Sequence, residues 1–278
     1  MRGKFGFRTA LANGEITSDH IHTEMNSQLL KFVQYASCSS SSLSSASSLS
    51  TIPLKYLPTH FDGHQHIHVL PGVRSIIPQI FSTTVPYTRI PKLGPDKHYL
   101  SSLSNERQTF YSNIDHDSLV AEQLWQQGSN DNLSSLSTEL NNTNTTPKNN
   151  SLSSFSISIP SIYNPDIFVG YTTMGQDCQL AHVKELFQTI LNDLDDYSVN
   201  NTTTISPTIE WMVHPGNKTL PHHNNSNEAG CGQGPDEFSM SDDREIEMNL
   251  LLDKQHILRT WFKDQNISLI SYEQLRVN

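Results

Sequence analysis

The sequence contains little that would suit a membrane, a nucleic acid or an oxidising compartment. Its three cysteines form no Cys-x-x-Cys pair, and their odd number does not fit a disulfide framework. No run approaches the roughly 18 apolar residues of a membrane span, and no apolar stretch typical of a signal peptide follows Met1. The net charge is −10, without a basic stripe, which argues against a nucleic-acid partner. We therefore expect an intracellular, cytoplasmic protein with reduced thiols that binds neither membranes nor nucleic acid.

Apolar residues are also scarce, at 35%, and the shortage is concentrated in two segments. Residues 37–50 are nearly all serine, and residues 129–158 consist largely of Ser, Asn and Thr. Such segments bury too little apolar surface to offset the entropy that ordering them would cost. We therefore predict that both are disordered insertions in a single domain that spans residues 1–278.

The remaining sequence alternates between predicted strands and predicted helices. The predicted strands are Leu57–Asp62, Val85–Ile90, Asp166–Tyr171, Thr208–His214 and Ile267–Ser271. The predicted helices are Ile21–Tyr35, Gly72–Phe81, Glu106–Gln127, Gln179–Leu194 and Asp242–Lys263. This alternation is typical of a parallel α/β architecture, in which reactive residues lie at the carboxyl ends of strands. His64 and His214 both occupy such positions.

The run from His60 to His68 holds four histidines and one aspartate. If the run were a strand, His64, His66 and His68 would share one face. Imidazole is the commonest protein metal ligand, and neighbouring carboxylates fix its tautomer or bind the metal directly. The alternative is a histidine-rich surface loop, or one core histidine among solvated ones. We favour a site for a divalent metal ion.

A second informative stretch runs from Glu210 to Gly216. Strand alternation places Glu210 and His214 on one face, and Pro215 and Gly216 end the strand, so His214 would lie at a rim. A histidine before Pro-Gly can equally be a capping or surface residue. Together with the upstream histidines, His214 is a candidate catalytic acid of a metal-dependent hydrolase.

These motifs resemble the YdjC-like carbohydrate deacetylases, in particular their animal members. The family signature Pro-Thr-His-x-Asp-Gly-His-Gln-His-x-His stands at Pro58–His68. Other stretches that match are Gly3–Arg8, Thr88–Pro91, Phe168–Gly170, Glu210–Gly216 and Gly230–Asp236. The resemblance implies an α/β fold of the incomplete (β/α) barrel type, similar to polysaccharide deacetylases. It also implies hydrolysis of acetamido groups on amino sugars with the help of a divalent ion.

Four residues have expected roles. The resemblance places the family's first metal-binding histidine of this signature on His64, and the chemistry of the hydrolysis suggests the other three, with His66 as a second ligand or a substrate-binding group. His214 would be the catalytic acid. Arg89 would hold the oxyanion or a sugar hydroxyl, and a surface ion pair is its alternative role. The family's Asp-Asp-Phe-Gly and Gly-Leu-His motifs have no counterpart here, so we expect a domain that lacks the first barrel strands.

The resemblance implies magnesium as the cofactor. Zinc is the alternative, because imidazole-rich sites favour zinc and oxygen-rich sites favour magnesium. The expected partner is an acetylated oligosaccharide substrate, and a homodimer stays open. Two other functions also stay open. An amidohydrolase-type enzyme uses His-x-His at a strand end but needs a late Asp, whereas the late strands here offer only His214. A catalytically inactive, truncated metal-binding module is the second.

Overall fold

The computed structural model describes residues 3–37, 53–81, 84–85, 87–127, 162–200, 206–217 and 243–275. Apart from Ser37, the two predicted disordered insertions lie outside these ranges, so that prediction stays untested. In chain order the helices are α1 (Gly3–Ala12), α2 (Ser18–Ala36), α3 (Ile77–Phe81), α4 (Asn105–Gln127), α5 (Leu180–Asn200), α6 (Asp243–Leu252), α7 (Ile257–Asp264) and α8 (Tyr272–Leu275). The strands are β1 (Ile167–Val169) and β2 (Ile209–Trp211).

Helix α2 confirms the helix predicted for Ile21–Tyr35. It begins with a capping box, in which the Thr17 hydroxyl accepts a hydrogen bond from the His20 backbone N–H and the His20 ring accepts one from the Thr17 N–H. The apolar residues repeat at helical spacing, so Ile21, Leu29 and Val33 are all buried on one side. They join the larger apolar core, which also includes residues of α3 and α4.

The strands β1 and β2 pair in parallel, with Phe168 opposite Glu210. Helix α5 connects them, as the sequence predicted, and buries Val183 and Ile190. These residues form a second apolar core together with Phe262 of α7. A parallel strand pair with a helical connection is the basic unit of α/β folds, and it supports the predicted class. The complete barrel arrangement stays a prediction, because β1 and β2 form the one sheet found among the described residues.

Two isolated parallel bridges join chain segments around the histidine run. Phe61 pairs with Thr88, and Tyr87 pairs with Tyr163, a few residues before β1. Among the described residues, the predicted strands Leu57–Asp62 and Val85–Ile90 are present only as these bridges. The chain therefore passes through neighbouring parallel segments whose carboxyl ends meet at one edge. That edge carries the histidine run, Arg89, Tyr171 and His214.

The turn after β1 is fixed by a buried carboxylate. Asp96 is fully buried and accepts hydrogen bonds from the backbone N–H groups of Gly170, Tyr171 and Thr172, at 2.9, 3.3 and 2.9 Å. Burial raises the pKa of Asp96, and these donors oppose that shift. Gly170 has φ 139°, and a Cβ there would lie 2.7 Å from the Met212 carbonyl, so glycine is required.

Three sequence predictions about the elements were wrong. The predicted long helix Asp242–Lys263 is divided into α6 and α7 at Asp253, whose carboxylate accepts from the backbone N–H groups of Leu258 and Arg259 at the start of α7. The predicted strand Ile267–Ser271 is a chain segment without strand pairing in the described residues. The predicted helix Gly72–Phe81 is shorter in the structure, because turns precede α3. Pro78 lies in the first turn of α3, where proline is tolerated.

No helix within the described ranges has the length and apolar character needed to span a membrane.

Candidate active site

The histidine run is not a strand, so the predicted face shared by His64, His66 and His68 is wrong. Residues His64–Val69 form a short 3₁₀ segment, within which Gln65 and His66 have left-handed backbone angles, with φ of 53° and 60°. Non-glycine residues rarely adopt such angles, and they concentrate at functional sites. As a result His64 is exposed, whereas His66 and His68 are buried at 5% and 1% exposure.

Neighbouring groups hold this unusual backbone. A guanidinium nitrogen of Arg8, on α1, donates a hydrogen bond to the Gln65 carbonyl at 3.1 Å. The His66 N–H donates to the Gly63 carbonyl at 2.8 Å. A Cβ at Gly63 would lie 2.6 Å from the His68 backbone nitrogen, so a side chain there would displace the run. Arg8 was not among the predicted site residues.

His68 orients its neighbours. Its Nδ1 accepts a hydrogen bond from the Gly63 N–H at 3.0 Å, so the ring proton lies on Nε2, which donates to the Arg89 carbonyl 3.1 Å away. Burial is the main cause that lowers the pKa of His68 to about 4, which keeps the ring neutral. His68 thereby ties the histidine run to the backbone of Arg89.

His66 presents a neutral nitrogen inside the site. Its ring packs edge-on against Phe168 and Tyr171, with centroids 6.0 and 5.5 Å apart. Burial lowers its pKa well below the ordinary value, and the neighbouring His68 and Arg89 lower it further. Its Nδ1 is buried and has no hydrogen-bond partner among the described residues. Buried polar atoms are nearly always hydrogen-bonded, so this nitrogen is a candidate contact for a ligand.

Arg89 lies between two carboxylates. Its Nη2 is 2.5 Å from Asp62 Oδ2, and its Nε is 3.2 Å from Glu210 Oε1. Burial opposes the charge of the guanidinium, but the two carboxylates outweigh it and raise the pKa of Arg89. Arg89 therefore takes part in two ion pairs, but its guanidinium is largely buried, so neither is the surface ion pair given above as its alternative role.

Glu210 and Tyr272 complete the Arg89 cluster, and the sequence did not assign either of them a role. The Tyr272 hydroxyl donates to Glu210 Oε2 at 2.6 Å. Burial raises the pKa of Glu210 to about 7, Asp62 adds to the rise, and Arg89 and Tyr272 oppose it. The shared face of Glu210 and His214 was the one sequence signal that could have identified Glu210. Nothing in the pattern around Tyr272 distinguished it.

His214 lies just beyond β2 on a short loop that a buried glutamate holds. Its backbone N–H donates to Glu247 Oε2 at 2.5 Å, and Glu247 Oε1 accepts from the Gly175 N–H at 2.6 Å. Glu247 lies on α6 and is fully buried, and no pattern in the sequence indicated this role. Burial, followed by the charges of Arg89, Arg244 and His64, lowers the pKa of His214 to about 4.

The four predicted site residues lie at the same edge of the fold. His214 and Arg89 both lower the pKa of His66, and His64 and Arg89 both lower that of His214, so these groups are within electrostatic range of one another. The site therefore combines the Arg89 guanidinium with the imidazoles of His66 and His214, whose lowered pKa values keep them neutral near pH 7. Such a set can bind an oxyanion or a sugar hydroxyl and can transfer a proton.

The donor set does not make a complete metal site. Within the described residues, no group of three or more His, Cys, Asp or Glu side chains is placed to hold one ion. Zinc in structural or catalytic sites normally takes three or four protein ligands, and magnesium prefers oxygen donors. His64, exposed at the edge, and the free Nδ1 of His66 are the nitrogens that remain available to an ion or a substrate.

Comparison with known proteins identifies relatives of this chain. Residues 52–263 match the family model described as YdjC-like protein. A carbohydrate deacetylase from Danio rerio is 27% identical over 280 residues, which cover 98% of this chain and 71% of the relative. The carbohydrate deacetylase from Xenopus laevis is 27% identical over 98% of the chain and 70% of the relative. The Mus musculus protein of the same name is 26% identical over 98% and 67%. No solved structure matches the chain.

Proposed function

The chain belongs to the YdjC-like family, and from this premise we propose that it is a hydrolase that deacetylates carbohydrates. The proposed substrates are N-acetylated amino-sugar oligosaccharides, and the bond cleaved is the amide of the acetamido group. The observation that carries the proposal is the convergence of Arg89, His66 and His214 at one strand edge, within a chain that matches relatives named carbohydrate deacetylase. The family match also supports this function over an amidohydrolase.

Hydrolysis of an amide needs a group that accepts the proton of the attacking water, a stabiliser of the oxyanion and a donor for the departing amine. His214 suits both proton steps. Because its pKa is about 4, its ring is neutral near pH 7 and can accept a proton. The imidazolium that forms can then pass this proton to the amine, as the predicted acid.

Arg89 and His66 are suited to binding. Arg89 keeps its charge at every ordinary pH and is largely buried, so its hydrogen bonds to an oxyanion or a sugar hydroxyl would be stronger than in bulk water. The Nδ1 of His66 can accept a hydrogen bond from a sugar hydroxyl. The rings of Phe168 and Tyr171 beside it exclude water from this part of the site.

Metal dependence forms a separate part of the proposal. We propose that His64 is a ligand of a divalent ion, magnesium first and zinc as the alternative. When bound, such an ion would polarise the acetyl carbonyl. The exposed imidazole of His64, close enough to His214 to affect its pKa, supports this role. The described residues do not complete the ligand set of such an ion. We also propose a cytoplasmic location, and a homodimer stays open.

The test measures acetate released from N-acetylglucosamine oligomers, with magnesium or zinc added. We expect His214→Ala to lower kcat/KM by about 100-fold or more, the usual contribution of general acid–base catalysis. The matched control is His22→Ala, because His22 is exposed on α2 and hydrogen-bonds only locally, with Asn26. Equal acetate release by the wild type and His214→Ala would refute the role of His214. Ion binding without any acetate release would instead support the metal-binding module without turnover.

A further inference from the structure

Helix α8 contacts the site although it lies beyond residues 52–263, the part of the chain that matches the family model. The contact is direct, since the Tyr272 hydroxyl donates to Glu210 Oε2 at 2.6 Å. A short hydrogen bond to a carboxylate is among the stronger contacts that a tyrosine can make. Helix α8 therefore contributes a side chain that binds a charged residue of the site.

Two further contacts dock this segment. The ring of His60 stacks on the ring of Tyr272, with centroids 4.1 Å apart and planes inclined by 13°. At the other end of α8, the Tyr87 hydroxyl donates to the Leu275 carbonyl at 2.7 Å. His60 is the first residue of the histidine run, and Tyr87 lies two residues before Arg89. The position of the Tyr272 hydroxyl is thus fixed by the same segments that build the site.

The contact continues through Glu210 to Arg89. Tyr272 binds one carboxylate oxygen of Glu210, and the other oxygen lies 3.2 Å from Arg89 Nε. Asp62 holds the far side of the guanidinium through Nη2. With one oxygen bound by the tyrosine, the Glu210 carboxylate cannot rotate freely, and its second oxygen stays at ion-pair distance from Arg89 Nε, which makes no hydrogen bond among the described residues.

We propose that Tyr272 is a positioning residue that fixes the direction of the Arg89 guanidinium by holding the carboxylate of Glu210. The proposal rests on the function proposed above, in which Arg89 binds the substrate. It adds a segment outside residues 52–263, the part that matches the family model, to the residues that build the site.

The charges around Glu210 give the proposal a measurable consequence. The groups that face Glu210 are Arg89, Asp62 and Tyr272, with His60 stacked behind the tyrosine. Burial raises the pKa of Glu210 to about 7, and the hydrogen bond from Tyr272 opposes this rise. The pKa of Tyr272 itself is raised, mainly by burial, so its hydroxyl stays protonated. Removing the hydroxyl must therefore raise the pKa of Glu210 further.

Three substitutions of Tyr by Phe distinguish the hydrogen bond to Glu210 from the docking of α8 as the contact that positions Arg89. Tyr272→Phe removes the hydroxyl that binds Glu210, and Tyr87→Phe removes the one that docks α8 at Leu275. Tyr163→Phe is the matched control, because Tyr163 is 56% exposed and its ring packs against Tyr87. All three variants keep the aromatic rings, and thermal melting of each checks that the fold is retained.

The first readout is the titration of the Glu210 carboxyl carbon by ¹³C NMR in the full chain, assigned with Glu210→Gln. We expect Tyr272→Phe to raise this pKa by about one pH unit, the size of a typical hydrogen bond to a charged group. Tyr163→Phe should leave it unchanged, and Tyr87→Phe should change it less than Tyr272→Phe. An unchanged pKa in Tyr272→Phe would overturn the proposal. Equal shifts in Tyr272→Phe and Tyr87→Phe would also overturn it, because the docking of α8 would then be the cause.

The second readout is the kinetics of acetate release. Tyr272→Phe should raise KM several-fold near pH 7 and change kcat less than twofold, because Arg89 binds the substrate in this scheme. The defect in KM should become smaller near pH 9.5, where Glu210 is ionised in both proteins, but it should not vanish, because only the wild type holds the carboxylate in place. A defect that vanishes there would show that Tyr272 acts through the pKa of Glu210 and not by positioning it. If the wild type releases no acetate, the proposed function fails, whereas the titration still decides the role of Tyr272.

Discussion

The glutamate that holds the His214 loop offers a sharp test of how the site is built. Glu247 is fully buried and accepts two backbone hydrogen bonds, from Gly175 at 2.6 Å and from His214 at 2.5 Å. In Glu247→Gln the amide keeps one acceptor oxygen and turns an N–H group towards the other backbone donor. One of the two bonds is therefore lost, and one backbone N–H is left facing a donor.

The expected size of the effect follows from these contacts. A hydrogen bond to a charged group contributes roughly 1.5–3 kcal/mol, so Glu247→Gln should lower the free energy of unfolding by about 2 kcal/mol. Glu247→Ala loses both bonds and should lower it by roughly 4 kcal/mol, to which the vacated volume adds. The His214 loop should also shift, so kcat should fall in both variants even at temperatures where the fold is intact.

Urea unfolding of the wild type and each variant measures the change in stability, and acetate release measures the change in kcat. Glu245→Gln is the matched control, because Glu245 lies on the same helix and makes neither of these two bonds. Glu245 is half-buried, and we expect the change in the free energy of unfolding to be less than about 0.5 kcal/mol because neither backbone bond is affected. Wild-type stability in Glu247→Gln would refute the reasoning, since the two short bonds would then contribute nothing to the fold.

Two other predictions concern the metal ion and the effect of pH. In titration calorimetry with magnesium or zinc, His64→Ala should abolish ion binding and His22→Ala should not; unchanged binding in His64→Ala would show that His64 is not a ligand. The pKa of Glu210 is about 7 in the folded protein against an ordinary 4.5, so its contribution to stability is present below pH 4.5 and is lost as the pH rises through 7. The wild type should therefore lose roughly 3 kcal/mol relative to Glu210→Gln over that interval in urea unfolding. A constant difference between the two proteins would contradict the assigned pKa.

Local pattern was enough to predict the helices and the class of the fold. The apolar residues of α2 and α5 repeat at helical spacing. Ile21 and Leu29 of α2 and Val183 and Ile190 of α5 are buried, whereas Phe32 of α2 is 48% exposed. The parallel pairing of β1 and β2 around α5 follows from the alternation of strand and helix. His214 lies just beyond the end of β2, close to where the sequence placed it. Helical spacing and the order of strands and helices are properties of the sequence itself, so they can be predicted from it.

Backbone exceptions and distant contacts were not predictable in this way. The left-handed angles of Gln65 and His66 reverse the alternation that the histidine run suggested, and no local pattern marks a non-glycine residue for such angles. The break at Asp253 depends on a carboxylate that caps the next helix, where the periodicity indicated one long helix. Glu247 and Tyr272 act on residues 33 and 62 positions away, so their roles become visible only once the chain is folded.

The contacts that dock α8 bear on how quickly the protein can fold. The hydrogen bond between Tyr87 and Leu275 closes a loop of 188 positions, and the one between Arg8 and Gln65 closes a loop of 57. Closing such loops costs chain entropy before the contacts can offset it, and proteins rich in distant contacts fold slowly for this reason. Non-specific collapse of apolar side chains needs no exact pairing, so it can begin while these loops are still open. In a refolding experiment, burial of the tryptophans should therefore precede the hydrogen bond from Tyr272 to Glu210, and recovery of the site should be the slowest phase to appear.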